Sequence, residues 1–178
     1  MMSIKNEAEI QKMAAAGQLV AYIHSRLEPL IQPGVTTREL DDLARDIMKE
    51  RGAKSSFLGY HGYPAHICTS VNDEIVHGIP GKRRLNDGDI ISVDIGVILD
   101  GFNGDSAWTY GVGTISPEAA LLMQQTEEAL YRAVAAAATG NRLGAIGHAV
   151  ESYARPLGRG IVRSMPVLLD ACGALSDR

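Results

Sequence analysis

The spacing of apolar positions changes along the chain from a helical period to an alternating one and back. Between Asn6 and Leu27, apolar residues recur at helical spacing at Ile10, Met13, Ala14, Val20, Ile23 and Leu27. Asn6 followed by Glu9 predicts a capping box at the start of this helix, and Pro29 with Pro33-Gly34 ends it. Thr36 and Glu39 repeat the capping arrangement ahead of a second apolar face, Leu40, Leu43, Ala44, Ile47 and Met48, which stops at Gly52. From Ser55 the pattern turns irregular through Gly59 to Pro64 (GYHGYP). Ile67 to Val76 then reads as extended chain, the first of the strands that end near Tyr110. Ser116-Pro117 opens a long helix running towards Gly140, and a further helix is predicted from about Leu143 to Ala154.

Ile90 to Tyr110 carries the sharpest local signal. Asp100-Gly101 lies between two β-branched runs and is the dipeptide favoured in two-residue hairpin loops. That loop pairs Leu99 with Phe102, Gly96 with Asp105 and Asp94 with Ala107. Asp94 and Asp105 then share a face as diagonal neighbours, roughly 7–8 Å apart along the backbone. Val93, Ile95, Val97, Leu99, Phe102 and Trp108 form the opposite, core face, while the acids stand beside Gly96, Ile98 and Asn103. Two acids on an otherwise apolar hairpin repel one another unless a cation or a shared proton offsets their charge. A metal is the simpler answer; two solvated carboxylates on the open face of an edge hairpin are the plainer alternative.

The segments Gly34 to Gly52 and Gly140 to Gly158 match at an offset of 106 residues (140 − 34 and 158 − 52). Leu40 corresponds to Ile146, Leu43 to Ala149, Ala44 to Val150, Ile47 to Tyr153 and Met48 to Ala154. A long helix precedes each copy, which favours an internal duplication over a coincidence of two amphipathic helices. The first copy is followed by strands up to Tyr110. After Gly158 the sequence offers one strand-like piece, Gly160 to Arg163, so half of the expected sheet is missing.

A length of 178 residues and 46% apolar content suit one domain with a sizeable core. The net charge of −4 gives no general attraction to DNA, RNA or acidic membranes. Lys82-Arg83-Arg84, between Pro80-Gly81 and Asn86-Asp87-Gly88, reads as a solvated loop. With no apolar signal core, no transit-like segment and no membrane-length run, a cytoplasmic location and no membrane partner are expected. Cys68 and Cys172 are too few for a disulfide framework or a thiolate zinc site, and Cys68 is expected as a small buried hydrophobe.

GYHGYP, VNDEIVHGIP, DGDIISVDIGVILDGFNGDSA and IGHAVESYARPLG together resemble bacterial type I methionine aminopeptidases, and the resemblance runs from about Ile4 to Arg163. It implies an α/β (α+β) pita-bread fold with the second pseudo-symmetric half incomplete, divided as residues 1–163 and a divergent tail, 164–178. It also implies metal-dependent removal of the initiator methionine from nascent proteins. Asp94 and Asp105 match family metal ligands for two divalent ions, of which Co, Mn, Fe or Zn suit the donor set. His77 matches the histidine that hydrogen-bonds the substrate and steadies the tetrahedral intermediate. Tyr60, His61, Tyr63 and Cys68, with His77, match positions in and around the methionine pocket. The remaining three family ligands, one His and two Glu, have no counterpart, since no His follows His148 and no Glu follows Glu151. Weakened metal binding and little or no activity are therefore expected of this chain, with a frameshift, a truncation or true divergence after Arg163 as the source of the altered tail. A non-catalytic protein binding nascent chains or the ribosome through Lys82 to Arg84 is the alternative. A proline-specific peptidase of the same fold fits the motifs less well.

Overall fold

Asn6 and Thr36 each start a helix with the reciprocal bonds of a capping box. The Asn6 side chain accepts from Glu9 N at 3.0 Å while Glu9 Oε2 accepts from Asn6 N at 2.8 Å, and Thr36 and Glu39 do the same. In the computed structural model, which describes residues 4–161 and 175–176, these helices are α1 (Glu7–Leu27) and α2 (Thr37–Glu50). Four antiparallel strands follow: β1 (Lys54–Ser55), β2 (Cys68–Val71), β3 (Ile90–Leu99) and β4 (Phe102–Gly111). β3 is central, with β4 along one side and β1 and β2 sharing the other.

α1 lies across the face of β3 and β4 that buries Ile91, Val93, Ile95 and Val97, and contributes Ala16, Leu19, Val20, Ile23 and Leu27 to the same core. Each such fully buried aliphatic side chain contributes about 1.5–3 kcal/mol, which fixes this face as the inner one. Gly104 permits the contact, because a Cβ there would stand 2.5 Å from the Ala16 carbonyl. His24 is also buried here, with Nδ1 3.0 Å from Tyr110 Oη and Nε2 3.2 Å from the Ser106 carbonyl. Burial lowers its pKa, partly countered by the bond to Ser106.

Several expectations need correction. Ile10 and Met13 are 47% and 41% exposed, because the inward stripe of α1 begins only at Ala16. The extended stretch expected from Ile67 to Val76 is a strand only over Cys68–Val71. It ends where Asn72 turns at φ +59°, its side chain bonded to Asp89 Oδ1 and to Ile90 N. A short strand, β1, precedes the stretch where strands were expected to begin. Phe102 and Trp108, assigned to the core face, are only half-buried.

The second half repeats the first in smaller residues. Ser116 caps α3 (Pro117–Ala136), which packs on α4 (Leu143–Ala154) around Ala129 and Ala154. The 106-residue offset extends beyond the segment read in the sequence: Val20, Ile23 and Leu27 correspond to the buried Thr126, Ala129 and Ala133, and β1 corresponds to β5 (Gly160–Ile161). The paired glycines adopt matching left-handed conformations, φ +95° and +92° at Gly34 and Gly140, +68° and +74° at Gly52 and Gly158. Burial does not match. Leu40, Ala44, Ile47 and Met48 are buried, whereas of their counterparts only Ile146 and Ala154 are, with Val150 and Tyr153 half-buried. β5 pairs with β6 (Leu175–Ser176). Residues 162 and 163, the end of the expected strand-like piece, lie outside the described residues, as does Cys172.

Candidate active site

The β3–β4 turn has φ +50° at Asp100 and +82° at Gly101, the doubly positive geometry of a type I′ hairpin. Its register pairs Leu99 with Phe102, Gly96 with Asp105 and Asp94 with Ala107. On the other side Asp94 is the partner of Cys68. Cys68, Asp94 and, one diagonal step away, Asp105 thus belong to the face turned from α1. Oδ1 of each acid is buried and receives no hydrogen bond, although both residues make further interactions. One step along, Ser92 and Thr109 join their hydroxyls at 2.6 Å.

Gly96 has no side chain on this face, and the loop after β1 occupies the space. A Cβ there would meet Ser56 Oγ at 2.1 Å and the Phe57 ring at 2.6 Å. Ser55 pins that loop, donating to the His66 carbonyl at 2.7 Å and accepting from Phe57 N at 3.0 Å. Between this loop and the sheet lies a cavity of about 500 Å³. Tyr60, His61, Tyr63, Cys68, His77 and Asp94 all line it, with Phe57, Gly62, Pro64 and Ile79 completing the wall. Asp105 is not among the lining residues. A hollow of similar size on α3, lined by Gln124, Glu128, Arg132 and Tyr153, contains none of the expected site residues.

The cavity wall is mostly aromatic. Phe57 meets Tyr63 edge-on with centroids 6.4 Å apart, and Tyr60 meets His61 likewise at 4.4 Å. The Tyr63 hydroxyl lies 3.0 Å from both the Ile67 and the Gly78 carbonyls and shares its single proton between them. Burial above all, then the hydrogen bond with Cys68 and the negative charges around it, push the Tyr63 phenol well above its ordinary pKa. Tyr63 therefore remains a proton donor throughout the working range. His77 stands exposed at the rim with φ +58°, and His61 has φ +46°. Such left-handed residues cost of order 1 kcal/mol each and persist only where neighbours hold them. At His77 the neighbour is Gly78, whose carbonyl accepts from Thr69 N at 2.8 Å and whose N–H donates to Ser70 Oγ at 3.1 Å.

Phe57 and Ile79 were not singled out in the sequence. The signal for Phe57 was Gly96, since a glycine inside a strand marks a close approach by another group. Two of the three cations of the candidate basic loop are engaged locally: Arg83 pairs with Glu74 at 3.3 Å, and Arg84 donates to the Gly34 carbonyl at 2.6 Å.

A family model described as metallopeptidase family M24 matches residues 11–168. The chain belongs to metallopeptidase family M24. It is 49% identical over 164 residues to the methionine aminopeptidase of Clostridium acetobutylicum, covering 92% of this chain and 66% of that protein. To methionine aminopeptidase 1 of Bacillus subtilis it is 50% identical over 153 residues, 86% of this chain and 62% of that protein. The crystal structure of methionine aminopeptidase from Rickettsia prowazekii matches with a TM-score of 0.90 at 37% identity, over 92% of this chain and 66% of that one. The chain therefore spans slightly less than two thirds of the length of these relatives. Its fold is the pita-bread fold of the M24 family, and the chain covers only part of the relatives that share it.

Membership of M24 implies use of a divalent metal. The buried Oδ1 atoms of Asp94 and Asp105 suit a hard cation. Among the described residues, however, no group of three or more His, Cys, Asp or Glu comes together. Two carboxylates supply too few oxygens for the roughly six ligands such a cation takes. The described residues thus fit one largely hydrated ion and do not fit a metal pair held by protein groups alone.

Proposed function

We propose that this chain carries the methionine-recognition half of an M24 aminopeptidase acting on the N-terminal methionine of nascent polypeptides. The observation that supports it best is the cavity of about 500 Å³ in which aromatic residues, a thiol, His77 and Asp94 converge. A flexible thioether side chain packs favourably against aromatic edges and sulfur, and Tyr60, His61, Tyr63, Cys68 and Phe57 supply those surfaces. In the metal-free chain Asp94, at the cavity, and Asp105 beside it supply negative charge for the substrate's α-ammonium group. His77, at the rim, is the group that hydrogen-bonds the first peptide carbonyl and steadies the charge developing on its oxygen.

Asp94 and Asp105 are also the groups through which a divalent ion, Mn, Co, Fe or Zn, would be held. In a metallopeptidase such an ion polarises the carbonyl and lowers the pKa of water. Because two carboxylates leave it mostly hydrated, we assign this chain substrate recognition ahead of efficient turnover. A cytoplasmic location fits this substrate. A role in binding the ribosome through the Lys82 to Arg84 loop is less favoured, because Arg83 and Arg84 already have local partners.

Titration calorimetry with L-methionine amide tests the reading. Binding at about millimolar Kd, near 4 kcal/mol, is expected, with alanine amide at least about tenfold weaker. Equal affinity for the two amides, or none for either, would overturn it.

A further inference from the structure

We propose that Asp41, on α2 and outside the cavity, is a positioning residue that sets the wall bearing Tyr63, Cys68 and His77. The inference rests on the methionine-pocket reading. Asp41 is only 2% exposed, yet its carboxylate gathers three donors. Oδ1 accepts the backbone N–H groups of His66 at 2.7 Å and Ile67 at 3.0 Å. Oδ2 lies 3.2 Å from His66 Nδ1, which accordingly carries the ring proton. These donors replace the water that a buried carboxylate would otherwise require.

His66 and Ile67 lead straight into β2, where Cys68 lies beside Asp94. Ile67 passes the constraint onward, because its carbonyl and that of Gly78 both accept from the Tyr63 hydroxyl. Gly78 in turn lies flat on β2, so close that a Cβ would stand 2.2 Å from the Thr69 carbonyl oxygen. His77 is the residue before it. A displacement at Asp41 is therefore transmitted through Ile67, Tyr63 and Gly78 to the left-handed His77. Asp41 is the one of these groups that belongs to a helix, so α2 anchors the segments flanking β2, which is itself paired with β3.

Two variants of the full chain separate positioning from general support. Asp41→Ala removes all three acceptor contacts, whereas Asp41→Asn keeps an oxygen for the two backbone N–H groups. Amide hydrogen exchange, read residue by residue, and calorimetry with L-methionine amide are measured on both. For Asp41→Ala, exchange over residues 63–78 should rise about tenfold or more while α1 and β3 stay within about twofold of wild type. Affinity for the amide should fall about tenfold, and Asp41→Asn should recover most of both changes. Unchanged exchange over 63–78, or an equal rise throughout the fold, would overturn the proposal. If Asp41→Ala does not fold, Asp41→Ser, whose shorter side chain does not reach both backbone N–H groups, takes its place: a rise confined to 63–78 supports the clamp, and a uniform or absent one overturns it. If wild type binds no methionine amide, the pocket reading fails, while the exchange map still decides whether Asp41 holds the wall.

Discussion

Gly96 of β3 lies directly beneath the Phe57 ring, with the position of a Cβ only 2.6 Å from Phe57 Cε1. The atoms in the way belong to side chains that can turn aside. Gly96→Ala should therefore fold but displace Phe57 from the cavity, weakening methionine-amide binding about tenfold, ~1.4 kcal/mol. Gly104→Ala is the contrast, since its Cβ would meet the α1 backbone at Ala16 and Gly17. That variant should lose about 1–3 kcal/mol of stability through overpacking. Calorimetry for the first and urea unfolding for the second check the pair.

His24 gives a pH dependence distinct from that of the carboxylates. Its folded pKa is depressed by burial, so the neutral ring contributes stability fully above the unfolded value of about 6.5 and loses it as pH falls through the folded value. Asp89, whose desolvation is outweighed by hydrogen bonds from Asn72 and Asn86, is also held low. Its contribution is fully present above the ordinary carboxylate range and is lost only in a more acidic window. Urea midpoints measured from about pH 7.5 down to about 5 should fall in wild type and fall less in His24→Gln. Identical slopes would show that His24 does not carry the effect.

Divalent metal should bind weakly and depend on both acids. Mn at about ten times Kd would stabilise the fold by about 1.4 kcal/mol, and millimolar concentrations should be needed. The shift in Tm should vanish in Asp94→Asn and in Asp105→Asn. In the same buffers, hydrolysis of Met-Ala-Ser with added Co or Mn should be slow or undetectable. Turnover at ordinary enzymatic rates, abolished by Asp105→Asn, would mean that the groups of this chain suffice for the chemistry.

Self-association should appear at raised concentration. Among the described residues no strand pairs with the outer edge of β4, and an open edge invites pairing with another chain. Tyr131, Val134 and Leu143 add apolar surface, at 57%, 60% and 79% exposure. Light scattering on a sizing column should show mass rising with loading. Val134→Lys combined with Leu143→Lys should reduce it, whereas an unchanged mass profile would assign the association to the β4 edge alone.

Much of the fold was legible because its punctuation is local. Asn6, Thr36 and Ser116 declare helix starts by their own side chains, and Asp100-Gly101 sets a register that carries Asp94 and Asp105 to one face. What stayed hidden depends on tertiary partners. Ile10 and Met13 have helical spacing but precede Ala16, the first buried residue of α1, and no period reveals where burial begins. Asp41 stands next to Asp42 on an amphipathic helix and reads as surface until His66 and Ile67 arrive from another segment. The five residues assigned to the pocket by resemblance come together in one cavity, while Phe57 was visible only indirectly through Gly96.

The contact between Ala16 and Gly104 also governs the order in which the chain can assemble. The two residues are separated by 88 positions (104 − 16), so during synthesis the apolar stripe of α1 emerges long before the strand that shelters it. The α3–α4 pair has its partners close in sequence and can close quickly, whereas the main core must wait for a distant loop to shut. The apolar stripe of α1 thus stays uncovered until β4 is in place.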